Sequence, residues 1–220
     1  MTVSRSGLFI AIEGGEGAGK STLASALSDR LTAVGFSTLA TREPGGTNLG
    51  KKLRQVWIDH AARPADIDGY ESLFLFAADR HAHLRQVIRP ALSAGKLVIT
   101  DRYVYSAKAY QASEGVEEPL VNAVCDYATG GLVPHMTYWL DVEPTVGLAR
   151  IASDTRIENP SKYDLAKLDF HERVYAEFKK LQQRSPEIIT RVDGNRPAEQ
   201  VLEDIFQDVL RVSETYHYHT

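Results

Sequence analysis

The sequence predicts an α/β fold, a five-stranded parallel sheet flanked by helices on both faces, with a mobile lid. Three observations carry that expectation. Short apolar runs alternate with longer stretches of helical spacing. The runs are apolar throughout instead of alternating, as strands covered on both faces are. A glycine-rich turn of distinctive spacing joins the first run to the first helix.

The elements follow in order. The run at 8–12 is rich in β-formers and ends at glycine. Residues 20–34 then place Leu23, Leu27 and Leu31 four apart, and Gly35 marks the helix end. A second strand is predicted at 37–41, then a Pro/Gly turn at 43–47. Helices are predicted at 49–59 and 70–94, the second bent near Pro90. A third strand at 97–100 leads to helices at 103–112 and 119–129. The fourth strand is placed at 137–141, with a helix at 145–151. Residues 152–167 are polar and aperiodic, and they predict a lid spanning approximately 150–167. A helix at 168–183, a fifth strand at 188–192 and a helix at 198–212 complete the chain. No internal repeat interrupts the pattern, so residues 1–220 are expected to form one domain.

Composition narrows the class. Of 220 residues, 43% are hydrophobic and 25% charged, an ordinary globular balance. A formal net charge of −4 argues against a broad nucleic-acid or anionic-membrane surface. Neither a membrane-spanning run nor a secretory leader is legible, and the expected partners include no nucleic acid and no membrane. The single cysteine, Cys125, permits no internal disulfide, sits in an apolar stretch as a packed thiol, and fits a cytoplasmic location. The tail Tyr216-His217-Tyr218-His219 could ligate a metal, but a frayed end is the expected reading.

Gly14-Gly15-Glu16-Gly17-Ala18-Gly19-Lys20-Ser21 fits G-x-x-x-x-G-K-[ST], with a predicted strand before it and a helix after it. This is a P-loop, and the fold expectation becomes a P-loop NTPase fold. Glycines let successive N–H groups turn toward phosphate oxygens. The following helix aims its positive end at the same anion. Lys20 would reach the β- and γ-phosphates, Ser21 would offer a hydroxyl to Mg²⁺, and Thr22 extends the ATP-binding set. Glu16 is an anion inside a phosphate cradle. Either its side chain is solvated, or it accepts a bond from a second substrate's hydroxyl or orients magnesium water.

Arginines downstream imply that second substrate. Arg42 follows the second strand, Arg54 lies on the next helix, Phe76 and Arg80 share one helical face, and Asp101-Arg102 ends the third strand. In open parallel sheets ligands gather at the carboxyl ends of strands. Each arginine alone suits a surface ion pair, and Phe76 alone suits a core. Together at one edge they suit an acceptor phosphate, which a bidentate guanidinium recognises well. Asp101, closing an apolar strand, suits Mg²⁺, directly or through water.

With these pieces in order, the chain resembles the thymidylate kinases. The resemblance runs from the Glu-containing P-loop through Arg42-Glu43-Pro44-Gly45-Gly46-Thr47, Phe76–Arg80 and Asp101-Arg102-Tyr103. It continues through Ser106, Ala109-Tyr110-Gln111, Leu140-Asp141-Val142 and Arg173-Val174. It implies a kinase that phosphorylates dTMP with ATP and Mg²⁺, as a homodimer. Phe76 would stack on thymine and Arg80 bond its edge. Arg102 and Arg54 would hold the dTMP phosphate, with Arg42, Glu43 and Pro44 beside it. Glu16 would meet the 3′-hydroxyl region, Tyr110 would exclude ribose, and Gln111 would reach the base.

The P-loop lacks arginine, so the resemblance implies the bacterial-type arrangement with a catalytic arginine in the lid. Arg156 is the choice, with Arg150 near ATP as its alternative. One departure concerns Ala107, which has no polar group where a base contact is often made. Base selection would then lean on Arg80, Gln111 and ordered water. Two rivals stand beside this reading: a kinase for another deoxynucleotide or a deoxynucleoside, and a P-loop ATPase or regulatory nucleotide-binding module.

Overall fold

The computed structural model describes residues 7–60, 67–153, 163–164 and 166–218. Five strands form one parallel sheet: β1 (Phe9–Gly14), β2 (Thr38–Arg42), β3 (Leu97–Asp101), β4 (Met136–Asp141) and β5 (Ile189–Asp193), in the order β2-β3-β1-β4-β5. β1, β3 and β4 are buried along their whole length, which explains their unbroken apolar character. Parallel pairing demands long crossovers, and helices supply them. These are α1 (Lys20–Ala33), α2 (Asn48–Asp59), α3 (Gly69–His83), α4 (Arg89–Ser93), α5 (Val104–Ser113), α6 (Glu118–Thr129), α7 (Pro144–Ala152), α8 (Leu168–Arg184) and α9 (Ala198–Tyr218).

Register sets the working edge. Ile12 and Arg42 both lie opposite Asp101, and Gly14 lies opposite Leu140, so the carboxyl ends of β1, β2, β3 and β4 finish level. One core fills the face under α1 and α9, with Leu27, Leu31, Ile205 and Val209 packed on Ile10, Ile12 and Ile99. A second joins α2, α5 and α8 through Trp57, Tyr110, Val174 and Phe178. Cys125 is buried against Leu73 and Val121. No helix among the described residues is long and apolar enough to cross a membrane.

Two expectations need correction. The helix expected at 70–94 is not continuous. α3 passes at Leu84–Ile88 into a π-helical turn, where the Arg89 amide bonds the Leu84 carbonyl, and then into α4. Pro90 lacks an N–H and its ring crowds the carbonyl four residues back, so the widened turn falls just before it. The frayed end expected at 216–219 is revised as far as Tyr218, to which α9 runs, and His219 lies outside the described residues.

Candidate active site

β1 delivers its chain into the phosphate loop at the sheet's carboxyl edge. Gly17 and Gly19 both take positive φ, 68° and 93°. Gly17 also faces a neighbour: a Cβ there would sit 2.0 Å from the carbonyl oxygen of Gly147 on α7. Gly147 reciprocates, since its own Cβ would meet the Glu16 carbonyl at 2.3 Å. The two backbones touch because neither has a side chain. Lys20 is buried and donates to the Gly15 carbonyl at 2.6 Å. Burial pushes its ammonium pKa down, and the Arg102 charge adds to that.

Ser21 donates its hydroxyl to Asp101 Oδ2. Asp101 Oδ1 is buried with no partner. A hydroxyl and a carboxylate with an unused oxygen, set beside a phosphate cradle, are hard donors of the kind Mg²⁺ prefers.

The loop opens onto a cavity of about 1010 Å³. Its lining includes Gly17, Gly19, Lys20, Ser21 and Thr22 of the loop and helix start, and Arg42, Pro44, Arg54 and Phe76 from later elements. Of the remaining loop residues, Gly14 offers its carbonyl to Arg102, Gly15 offers its own to Lys20, and Ala18 packs into the core.

Arg102 is held at the centre. Its guanidinium donates to Glu16 at 2.6 Å, to Ser106 Oγ at 3.0 Å, to the Gly14 carbonyl at 3.2 Å and to the Tyr110 hydroxyl at 3.2 Å. The Tyr110 hydroxyl in turn donates to Glu16 at 3.1 Å. Burial alone would raise the Glu16 pKa, but Arg102 foremost, then Lys20, outweigh it and hold it at about 2. Glu16 is therefore an ionised, anchored carboxylate and not a solvated one. Arg102 also has a φ of 74°, unusual for a residue with a bulky side chain. Its amide bonds the Ile12 carbonyl at 2.9 Å, and its carbonyl accepts the Thr100 hydroxyl at 2.9 Å.

Beneath it lies Glu13, fully buried, which sequence reasoning missed. Its carboxylate accepts the amides of Tyr103 and Tyr105 at 3.0 and 3.1 Å and the Ser106 hydroxyl at 2.5 Å. Burial raises its pKa despite these bonds. One signal was available: a carboxylate directly after an apolar strand core.

The turn after β2 packs onto α3 through ionic contacts. Glu43 takes Arg80 Nε at 2.6 Å and His83 Nδ1 at 3.1 Å, and His83 Nε2 meets the Thr41 hydroxyl at 2.7 Å. Asp79 Oδ1 accepts the Gly45 amide at 3.1 Å. Its Oδ2 has no partner, and burial first, then the Glu43 charge, raise its pKa to about 6. Arg80 also donates to the Tyr103 carbonyl at 3.0 Å and contacts Cys125 Sγ at 3.6 Å, so three of its five donors are engaged. Thus Glu43, expected beside an acceptor phosphate, has its carboxylate on Arg80 and His83. Phe76 meets Trp57 edge-on at 5.3 Å and faces the cavity.

Arg42 is exposed and Arg54 half-buried. The Arg54 pKa is lowered by burial first, then by the charges of Arg42 and Arg102. Three cations thus face one space. Arg150, at the end of α7, lines the cavity and donates to the Gly194 carbonyl at 3.2 Å. Arg156 lies outside the described residues. Tyr163 and Asp164, from the segment read as lid, line the same cavity, as does Trp57; no periodicity or motif marked them. Gln111 is fully buried on α5, with its amide nitrogen 2.8 Å from the Tyr163 hydroxyl.

Comparison with known proteins shows the family. The family model described as thymidylate kinase matches residues 12–205. A thymidylate kinase of Synechococcus sp. (strain JA-2-3B'a(2-13)) is 42% identical over 194 residues, 87% of this chain and 89% of its own. That of Deinococcus radiodurans is 40% identical over 212 residues, 96% and 98% of the two chains. That of Shouchella clausii is 36% identical over 209 residues, 94% and 97%. A phosphate loop, three converging arginines and a match along nearly the whole length lead to one conclusion: the chain belongs to the thymidylate kinase family.

Proposed function

We propose that the chain transfers the γ-phosphoryl group of ATP to dTMP, giving ADP and dTDP for dTTP synthesis. The observation that carries this reading is the meeting of Arg42, Arg54 and Arg102 in the cavity that the phosphate loop also lines. A site with one phosphate to hold has no use for that second cluster of cations.

The loop amides and Lys20 hold the donor phosphates. Ser21 and Asp101 would hold Mg²⁺, which offsets charge on the phosphate oxygens when bound. Arg102, locked by Glu16, Tyr110 and Ser106, presents its remaining donor capacity to the acceptor phosphate, with Arg54 and Arg42 alongside. An acceptor oxygen attacks the γ-phosphorus and ADP leaves; the acceptor is already anionic, so no base is needed. Phe76 stacks on the base, with Arg80 and Gln111 near its polar edge. Glu16 lies at the 3′-hydroxyl end, and Tyr110 disfavours ribose. Arg156 is assigned to the transferring phosphoryl group, with Arg150 on the ATP side. The whole chain acts as one domain, and the segment approximately 150–167 closes over ATP to exclude water.

The single cysteine fits a reducing, cytoplasmic setting. A homodimer is supported by exposed apolar side chains on neighbouring helices, Val56 on α2 and Tyr70 and Phe74 on α3. Light scattering on the purified chain should give twice the chain mass, and Phe74→Glu should halve it. An ADP-release assay across dTMP, dUMP, dCMP and dGMP tests the activity. The expected result is highest kcat/KM on dTMP; equal turnover of dCMP or dGMP, or ATP hydrolysis indifferent to monophosphates, would reject it.

A further inference from the structure

Gln111 stands in an unusual electrical position. Its Nε2 donates to the Tyr163 hydroxyl at 2.8 Å and points at Glu114 Oε2 at 3.4 Å. The Tyr163 hydroxyl donates onward to the same Glu114 oxygen at 2.9 Å. A carboxylate can only accept, so every proton in this chain runs toward Glu114. An amide's oxygen and nitrogen are told apart by such a network. The Glu114 carboxylate favours one assignment: Nε2 on the side of Glu114 and Tyr163, and Oε1 on the other edge of the amide. That Oε1 is buried and has no partner.

Tyr163 is fixed by packing as well as by these bonds. Its ring lies 4.8 Å from Trp57, 4.7 Å from Tyr110 and 5.4 Å from Phe170, stacked on the last. Gln111, Tyr163, Phe76 and Ala107 all line the cavity. Ala107 brings no polar atom to it, and Gln111 does.

We propose that Glu114 and Tyr163 are positioning residues that orient the Gln111 amide, presenting its oxygen to the acceptor base as a fixed hydrogen-bond acceptor. This rests on the reading that a pyrimidine monophosphate binds beside Phe76. An unpartnered buried acceptor is completed by a base that offers a ring N–H, as the imide of thymine or uracil does. Cytosine presents a ring-nitrogen lone pair at that position, and two acceptors repel. Selection against cytosine is thus set by a carboxylate one layer behind the cavity wall.

Glu114→Gln tests this, because the new amide can donate as well as accept and releases Gln111 to turn over. Glu114 is half-buried at the end of α5, where an isosteric change is tolerated. Kinetics are read on dTMP, dUMP and dCMP for wild type, Glu114→Gln, Glu114→Asp and Tyr163→Phe. The expected result for Glu114→Gln is a rise of roughly tenfold in KM for dTMP and dUMP alike, the size of one unmade buried hydrogen bond. Its kcat stays within about twofold, KM for ATP is unchanged, and the dTMP-to-dCMP ratio of kcat/KM drops by roughly tenfold or more. Glu114→Asp restores most of that ratio, and Tyr163→Phe, which leaves Nε2 facing Glu114, falls between. An unchanged ratio in both Glu114→Gln and Tyr163→Phe overturns the inference, as does an equal loss on all three monophosphates. A wild-type enzyme indifferent to dTMP would instead reject the assigned acceptor, so the two failures are separable.

Discussion

The two ends of the cavity are built by different means. At the acceptor end, side chains lock side chains: Arg102 on Glu16, Ser106 and Tyr110, Ser106 on Glu13, Arg80 on Glu43. At the donor end, apart from the Ser21–Asp101 pair, the contacts run to backbone. The phosphate loop offers amides, Lys20 donates to the Gly15 carbonyl, and Arg150 donates to the Gly194 carbonyl. A triphosphate is recognised by charge and needs little more than a nest of N–H groups. A nucleoside monophosphate must be told from its close relatives, which takes rigid partners fixed before it arrives.

Breaking the donor end should cost the most rate. Arg156→Ala is expected to lower kcat by on the order of 10³-fold or more, with the KM for dTMP near normal. A mild effect there with a severe one in Arg150→Ala would exchange their roles. Lys20→Ala should lower kcat by about 10²–10³-fold. Steady-state kinetics varying each substrate separately reads these outcomes.

Breaking the acceptor end should show as lost use of dTMP. Arg102→Ala is expected to lower kcat/KM for dTMP by roughly 10²-fold while the KM for ATP stays within a few-fold. Arg102→Lys should recover little, because a point charge cannot replace a fork shared among four partners. Unchanged dTMP kinetics in either variant would remove Arg102 from its assignment.

The smallest effects lie in pH dependence, and the acceptor end contains both signs. Glu16, held at about 2 against an ordinary 4.5, favours the folded state above pH 4.5, and that gain is lost as pH falls toward 2. Asp79, raised from 3.8 to about 6, binds its proton more tightly folded than unfolded, so stability declines as pH rises from about 4 to 6. Glu16→Gln should flatten the first limb and Asp79→Asn the second. Urea midpoints measured across pH 2–7 would show it; an Asp79→Asn profile superimposable on wild type would exclude the second effect.

What the sequence made legible follows the same division. The strands and the phosphate loop depend on local pattern: apolar runs, glycine spacing and a lysine at a helix start. Asp101 and Arg102 could be placed at the carboxyl edge because parallel topology puts strand ends there. The inner layer could not be read this way. Glu13 acts on Tyr103 and Ser106, ninety residues on, and Asp79 meets Gly45 only because α3 crosses the turn. Tyr163 sits in a polar stretch whose spacing has no period, yet its ring is buried among aromatics from α2, α5 and α8. The π-helical turn was visible only as Pro90, and the direction of the adjustment depends on how α3 packs.

The backbone at Arg102 carries a further implication. A φ of 74° suits glycine, and holding a long side chain there costs on the order of 1–3 kcal/mol. That strain is offset by the four hydrogen bonds of the guanidinium, foremost the ion pair with Glu16, a largely buried carboxylate that would be left uncompensated without it. Arg102→Gly would relax the backbone and strand Glu16 in one step. Position 102 is thus one where the residue the backbone alone would favour is opposed by the charge network around it, and a search for stabilising changes should leave it as it is.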